Sequence, residues 1–282
     1  AAAALLIDYV LTVSVSIAAG VAALTSAFPQ WHVNPVHLSL GFVLLLMIGN
    51  LRGLRESGQL FSIPTYLFIG GTLAMLAAGA WHVITGTVAP VTVAEPVATG
   101  HRTLTLFLLL TAFSNGCTAM TGVEAVSNGV PAFRPPESKN AAGTMVTMAV
   151  LAVTMFLGIT FLAQAYGVTP SDGETVLSQL ARGTFGGRGI PYYFIQAGTM
   201  AILVLAANTA YADFPRLASI LARDGYLPRQ LANQGDRLAF SNGVIGLSVF
   251  ASLLLIIFGG DTHALIPLYM IGVFVSFTLS QA

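Results

Sequence analysis

The sequence predicts an all-α, polytopic membrane protein, and three observations carry the prediction. Of 282 residues, 55% are hydrophobic and 8% are charged, against roughly 25% charged in a soluble domain. Mean hydropathy is +0.81, and eleven basic with eleven acidic side chains are too few to cover a water-soluble fold of this size. Apolar runs near the roughly 20 residues needed to cross a bilayer recur along the chain.

By that ruler eight segments stand out: 1–28, 36–50 (short), 61–85, 103–131, 141–166, 190–212, 239–259 and 264–282. The first begins Ala1-Ala2-Ala3-Ala4-Leu5-Leu6-Ile7-Asp8, without the basic region or cleavage site of a signal peptide. It reads as a chain that starts inside a membrane helix, and hence as a fragment. The fourth differs from the rest. Leu104–Phe113 is plainly apolar, but Ser114–Gly129 is rich in Gly, Ser, Thr and Asn and carries a carboxylate. Irregular backbone at membrane depth survives only where it lines a cavity or is buried in protein. A Gly-interrupted helix of this kind points to a transporter's binding site.

Between the sixth and seventh segments, Arg216–Arg223 is amphipathic and is expected to lie along the membrane surface. Thr175–Thr184 reads as a short surface helix capped by Ser171 or Asp172. The Gly-rich run Gly183–Gly189 has no strand before it and reads as a flexible connector, not a phosphate loop. Alternate loops hold eight of the eleven basic residues: Arg52 and Arg55; Arg134 and Lys139; Arg216, Arg223, Arg229 and Arg237. The positive-inside rule makes those loops cytoplasmic, so the chain enters its first segment from the cytoplasm of a plasma (inner) membrane.

A net charge of zero gives no field for nucleic acid. The single Cys117 excludes a disulfide framework and any cysteine-based zinc cluster. The five histidines lack ligand spacing, and no nucleophile elbow or Walker motif is present. The chain therefore reads as no enzyme, without cofactors. Two carboxylates, Asp8 and Glu124, fall inside apolar segments that hold no Lys or Arg. Each must be protonated, bound to a cation or facing water. Thr121 and Thr118 precede Glu124 by one and two three-residue steps; Tyr9 adjoins Asp8, and Ser16 lies two turns on, on the same side. Hydroxyls, a carboxylate and carbonyls freed at a break near Gly116 and Gly122 make a plausible monovalent cation site. The competing readings are a protonated Glu124 in an interhelical hydrogen bond and an Asp8 at the headgroup level. Asp213 reads as interfacial, Asn208 and Gln196 as interhelical glue, and Tyr269 as a gate or core aromatic.

The stretches Asp8–Ser16, Gly116–Phe133 and Asn208–Arg216 resemble the amino acid–polyamine–organocation (APC) superfamily, and most nearly its KimA-type and KUP potassium–proton symporters. That resemblance implies a LeuT-like inverted-repeat fold of which this chain holds helices three to ten. Residues 1–102 would be the remainder of the first repeat and 103–282 the second. It implies Asp8, Tyr9, Ser16, Thr121 and Glu124 as potassium or proton ligands and Tyr269 as a pathway tyrosine. The reading is a secondary active carrier importing potassium with protons. Its rivals are a proton-coupled amino acid permease on the same scaffold and a non-transporting sensor or scaffold. Membrane lipid and the small ion or amino acid are the expected partners, a homodimer is compatible, and nucleic acid is not expected.

Overall fold

The computed structural model describes residues 2–53, 58–91, 105–116, 118, 122, 126, 129–171, 173–232 and 240–281. Among them the elements are α1 (Ala2–Ala27), α2 (Pro35–Leu51), α3 (Gly58–Ile84), α4 (Leu106–Gly116), α5 (Glu137–Ala165), α6 (Val176–Thr184), α7 (Ile190–Arg223), α8 (Ser241–Ile257) and α9 (Thr262–Gln281), with short 3-10 turns and no strand. The protein is all-helical and membrane-embedded. α1, α5, α7 and Ser62–Ile84 of α3 are long and apolar enough to cross a bilayer, and α2, α4, α8 and α9 are shorter apolar helices.

Local chemistry sets the helix ends. Asn34 caps α2 by accepting from the Val36 amide at 2.9 Å, with Pro35 at the first helical position. Gly53, Gly86, Gly167 and Gly225 follow α2, α3, α5 and α7 at positive φ, the left-handed conformation that closes a helix at little cost for glycine.

α1 is the centre of the fold. It packs most extensively on α7 and α9 and also touches α2 and α8. The main core joins Val13, Ile17 and Val21 of α1 to Val43 of α2, Ala207 and Phe214 of α7, Leu247 and Leu255 of α8 and Leu265 of α9. A second core, nearer the end where α1 leaves the bundle, gathers Met75, Leu162, Tyr166, Leu180, Tyr192 and Ile195. Lipid is as apolar as the side chains, so helices associate here through close fit. A Cβ on Gly243 of α8 would lie 2.8 Å from the Pro215 backbone of α7.

That contact corrects one expectation. Segment 190–212 and the amphipathic Arg216–Arg223 beyond it suggest two separate helices, yet α7 runs unbroken for 34 residues, about 50 Å. Pro215 forgoes one backbone hydrogen bond, but it is buried against Gly243, and α7 continues past it. Beyond it Ala218, Ser219 and Ala222 are buried, with the 3-10 turn Arg229–Ala232 packed on α7.

The short helix α6 also differs from expectation. Its cap is Thr175, whose Oγ1 accepts from the Ser178 amide at 3.3 Å. Asp172 lies outside the described residues, and Ser171 instead accepts from the Gly173 amide. Nor does α6 lie on the surface: Ser178, Gln179, Leu180 and Ala181 are buried. The Thr175 amide donates to Ser26 Oγ at 3.0 Å, and the Tyr192 hydroxyl donates to the Ser26 carbonyl at 3.0 Å. These bonds pin α6 to the ends of α1 and α7. The Gly-rich run closes α6: Gly186 and Gly187 have positive φ, and the Gly187 amide donates to the Arg182 carbonyl at 2.9 Å.

Candidate functional site

Steps of three and four residues along α1 place Leu11 and Val15 on the face of Asp8. Asp8 is 3% exposed and is the one carboxylate among the described buried residues. It is enclosed by protein. Leu11 and Val15 pack with Tyr269 and Val273 of α9. At Gly272 the two helices come so close that a Cβ would lie 2.7 Å from Leu11 Cδ1. Tyr269, one turn before Gly272, is 8% exposed in this seam. The fold thus packs the buried tyrosine of α9 against Leu11, one turn along α1 from the buried Asp8.

The far end of α1 borders a cavity of about 370 Å³. Ala18, Ala22 and Thr25 line it from α1, Glu174 and Thr175 from the start of α6, and Asp261 and Thr262 from the start of α9. Asp8 and Thr25 are seventeen residues apart, about 25 Å along the helix. Sequence reasoning missed this mouth. No periodicity pointed to it, and Glu174 and Asp261 read only as loop acids. Glu174 is held by Arg182 at 3.0 Å and Arg188 at 4.0 Å and accepts from Ser178 Oγ at 2.8 Å.

The remaining expected residues separate. Tyr9, next to Asp8, packs against the main core. Ser16 is half-buried and sits about 80° round α1 from Asp8. α4 ends at Gly116, where the sequence places a break, and Gly122 is in a turn at φ +92°, a value that suits glycine. Between them Thr118 Oγ1 donates to the Asn115 carbonyl at 2.6 Å, occupying one oxygen freed by the helix end. Thr121 and Glu124 lie outside the described residues. α9 packs against both α1 and α4, so it connects the Asp8 face to the helix that carries the break. No group of three or more His, Cys, Asp or Glu side chains is placed to hold a metal among the described residues.

Of the polar residues read as interhelical glue, Asn208 accepts from Asn50 Nδ2 at 2.8 Å, joining α7 to α2. Gln196 is 3% exposed, and its amide has no partner among the described residues. Asp213 is exposed on α7. Not foreseen was a buried pair joining α7 to α8, the Tyr211 hydroxyl 2.9 Å from Ser248 Oγ.

The family described as amino acid permease matches the chain over residues 1–282. The potassium transporter KimA of Bacillus subtilis (strain 168) is 51% identical over 281 residues, which is the whole of this chain and 46% of that relative. The chain therefore spans about half the length of the curated relative it matches. Both descriptions are those of membrane carriers, not enzymes. With its apolar helices and a match along its whole length, the chain belongs to the amino acid permease family of the APC superfamily.

Proposed function

We propose that this chain is the central part of a secondary active carrier that imports potassium together with protons. The observation that carries the reading is a buried carboxylate on α1, Asp8, one turn from the contact that Leu11 makes with Tyr269 of α9. A buried acid must be neutralised by a proton or a cation, so Asp8 is suited to exchanging one for the other. The 51% identity to a protein described as a potassium transporter supports the choice of ion.

In this mechanism the cation enters by the cavity and exchanges water for oxygens near the end of α4. Thr118 and Thr121 contribute hydroxyls, the end of α4 at Gly116 frees carbonyls, and Glu124 or Asp8 carries the coupled proton. Tyr9 and Ser16 would reach the ion only by rotation of α1. Residues 1–102 act as the remainder of one inverted repeat and 103–282 as the second, and one bundle rocks against the other. The distribution of basic residues supports a start of α1 on the cytoplasmic side of the plasma membrane. Lipid and the transported ion are the partners, and a homodimer is compatible with this arrangement.

A second reading rests on the family description, amino acid permease. In it the break after α4 binds an α-carboxylate through helix-end amides, and the acids organise the helices. Uptake by the full-length protein in proteoliposomes separates the two, using rubidium and a pool of labelled amino acids, each with and without an inward proton gradient. Proton-stimulated rubidium uptake, reduced at least tenfold in Asp8→Asn, is expected. Amino acid uptake without rubidium flux establishes the second reading. If Asp8→Asn and Glu124→Gln both leave uptake and its pH dependence intact, the proposed mechanism fails.

A further inference from the structure

The cavity at the far end of α1 has a rim that can change charge. Pro35, Gly173, Asp261 and His263 line it and are exposed, so it opens to water. Among the described residues its charged lining is two carboxylates, Glu174 and Asp261, with no Lys or Arg. Histidine is the side chain whose charge ordinarily changes between about pH 5 and 8, and His263 is the one histidine in that lining.

Packing fixes where this histidine stands. The turn between α8 and α9 carries Gly259 and Gly260 at φ +64° and +69°, values that favour glycine. A Cβ on Gly260 would lie 3.3 Å from the Pro35 carbonyl carbon, so the turn rests directly on the start of α2. Asp261 then accepts from the His263 amide at 2.8 Å at the positive end of the α9 dipole.

The neighbouring charges are tied down, and the imidazole is not. Glu174 is held by Arg182 at 3.0 Å and Arg188 at 4.0 Å, and neither arginine enters the lining. α1 brings Thr25 and Ser26 to the cavity but no titratable group, and α2 brings Pro35, with His37 outside the lining. Asp172 lies outside the described residues. The His263 ring makes no hydrogen bond or ion pair among the described residues, so a proton on it would add a positive charge that no fixed partner cancels.

We propose that His263 determines how readily this cavity admits cations. Neutral, it leaves the two carboxylates to draw cations in; protonated, it offsets part of their field and admits cations less readily. A cleft lined by one sign of charge concentrates the opposite ion. The consequence for uptake rests on the potassium reading above, whereas the charge of the mouth is measurable without any transport.

Gly173→Cys supplies the reporter, because Gly173 lines the cavity and its Cβ position has nothing within 4 Å. In the purified full-length protein with its native cysteines replaced, the thiol is reacted with a cationic (trimethylammonium) and an anionic (sulfonate) methanethiosulfonate. The salt is held at about 10 mM, where charges act over about 30 Å. Taking the ratio of the two rates cancels the ionisation of the thiol itself. From about pH 8 to about pH 5.5 the cationic-to-anionic ratio is expected to fall about threefold or more. His263→Gln holds it at the high-pH value throughout, and His263→Arg at the low-pH value. An equal fall in His263→Gln, or a parent ratio that ignores pH, overturns the proposal. If the Gly173→Cys protein elutes as aggregate, Ser171→Cys serves as the reporter with the same two outcomes. In proteoliposomes at about pH 5.5, His263→Gln is expected to lower the KM for rubidium about threefold with kcat unchanged. If the rate ratio switches but this KM does not move, the cavity is not the entry route, and the potassium mechanism gives way while the charge switch stands.

Discussion

α1 and α5 are both long, apolar and free of Lys and Arg through their apolar windows, yet half of the α1 window is buried and only 6% of that of α5. The difference lies in the neighbours: α1 packs on α2, α7, α8 and α9, whereas α5 packs chiefly on α3 and α6. α1 carries Ala18, Gly20, Ala22 and Ala23 among larger residues, and α7 approaches until a Cβ on Gly20 would touch Leu203 at an ordinary 3.5 Å. α5 instead turns Val146, Val150, Val153, Phe156, Leu157 and Phe161 outward; only Ala141 and Leu162 are buried. Hydropathy says that a segment can enter a membrane. Small residues and a few polar ones decide which segment becomes the middle of the bundle.

The sharpest way to break this comparison is to truncate one leucine in each environment. Leu247 of α8 is fully buried in the core around α1, and Leu157 of α5 is 59% exposed. Leu247→Ala is expected to destabilise by about 2–5 kcal/mol, the usual result of a large-to-small change in a packed core. Leu157→Ala should stay within about 0.5 kcal/mol. Denaturant unfolding of the detergent-solubilised full-length protein reads both, and equal losses would mean that α5 is as tightly packed there as α8 is here.

Glycine gives the next effect, with opposite signs in the two regions. Gly243→Ala places a Cβ 2.8 Å from the Pro215 backbone, which cannot move aside without shifting α7. A loss of about 1–3 kcal/mol is expected from such overpacking. Gly143 in α5 has nothing within 4 Å of its Cβ position, so Gly143→Ala should be neutral or stabilising by up to about 1 kcal/mol, through helix propensity. Melting temperatures that move in opposite directions bear this out; a fall in both would mean that α5 has a close neighbour at Gly143.

How far the sequence reached follows the same division. Apolar length located the helices well: segment 1–28 became Ala2–Ala27, and 36–50 became Pro35–Leu51. The break after α4 was legible because Gly, Ser and Asn crowd an otherwise apolar run. The unbroken α7 was not, because the neighbour that lets it pass Pro215 is Gly243, 28 residues on. Asp8 was legible as an acid in an apolar run, but its company was not. Tyr9 is adjacent in sequence and turns to the main core, whereas Tyr269 is remote and packs against Leu11, one turn away. Adjacency fixes position along a helix, and only tertiary packing decides which faces meet.

The smallest effect concerns the polar link between α7 and α8. Tyr211 and Ser248 are 2% and 4% exposed, with their hydroxyls 2.9 Å apart. Tyr211→Phe removes that bond, but Ser248 Oγ still donates to the Val244 carbonyl at 2.9 Å, so no donor is stranded. Removing one partner is costly mainly when the other is left unsatisfied. Interhelical hydrogen bonds in membrane bundles average about 0.6 kcal/mol, and a loss near that value is expected for Tyr211→Phe. Ser248→Ala should cost more than Tyr211→Phe, since it leaves the buried Tyr211 hydroxyl without this partner. The double variant should lose no more than either single one, because both remove one interaction. Additive losses would instead mean that each hydroxyl has a further partner, making the α7–α8 contact a wider polar network than this pair.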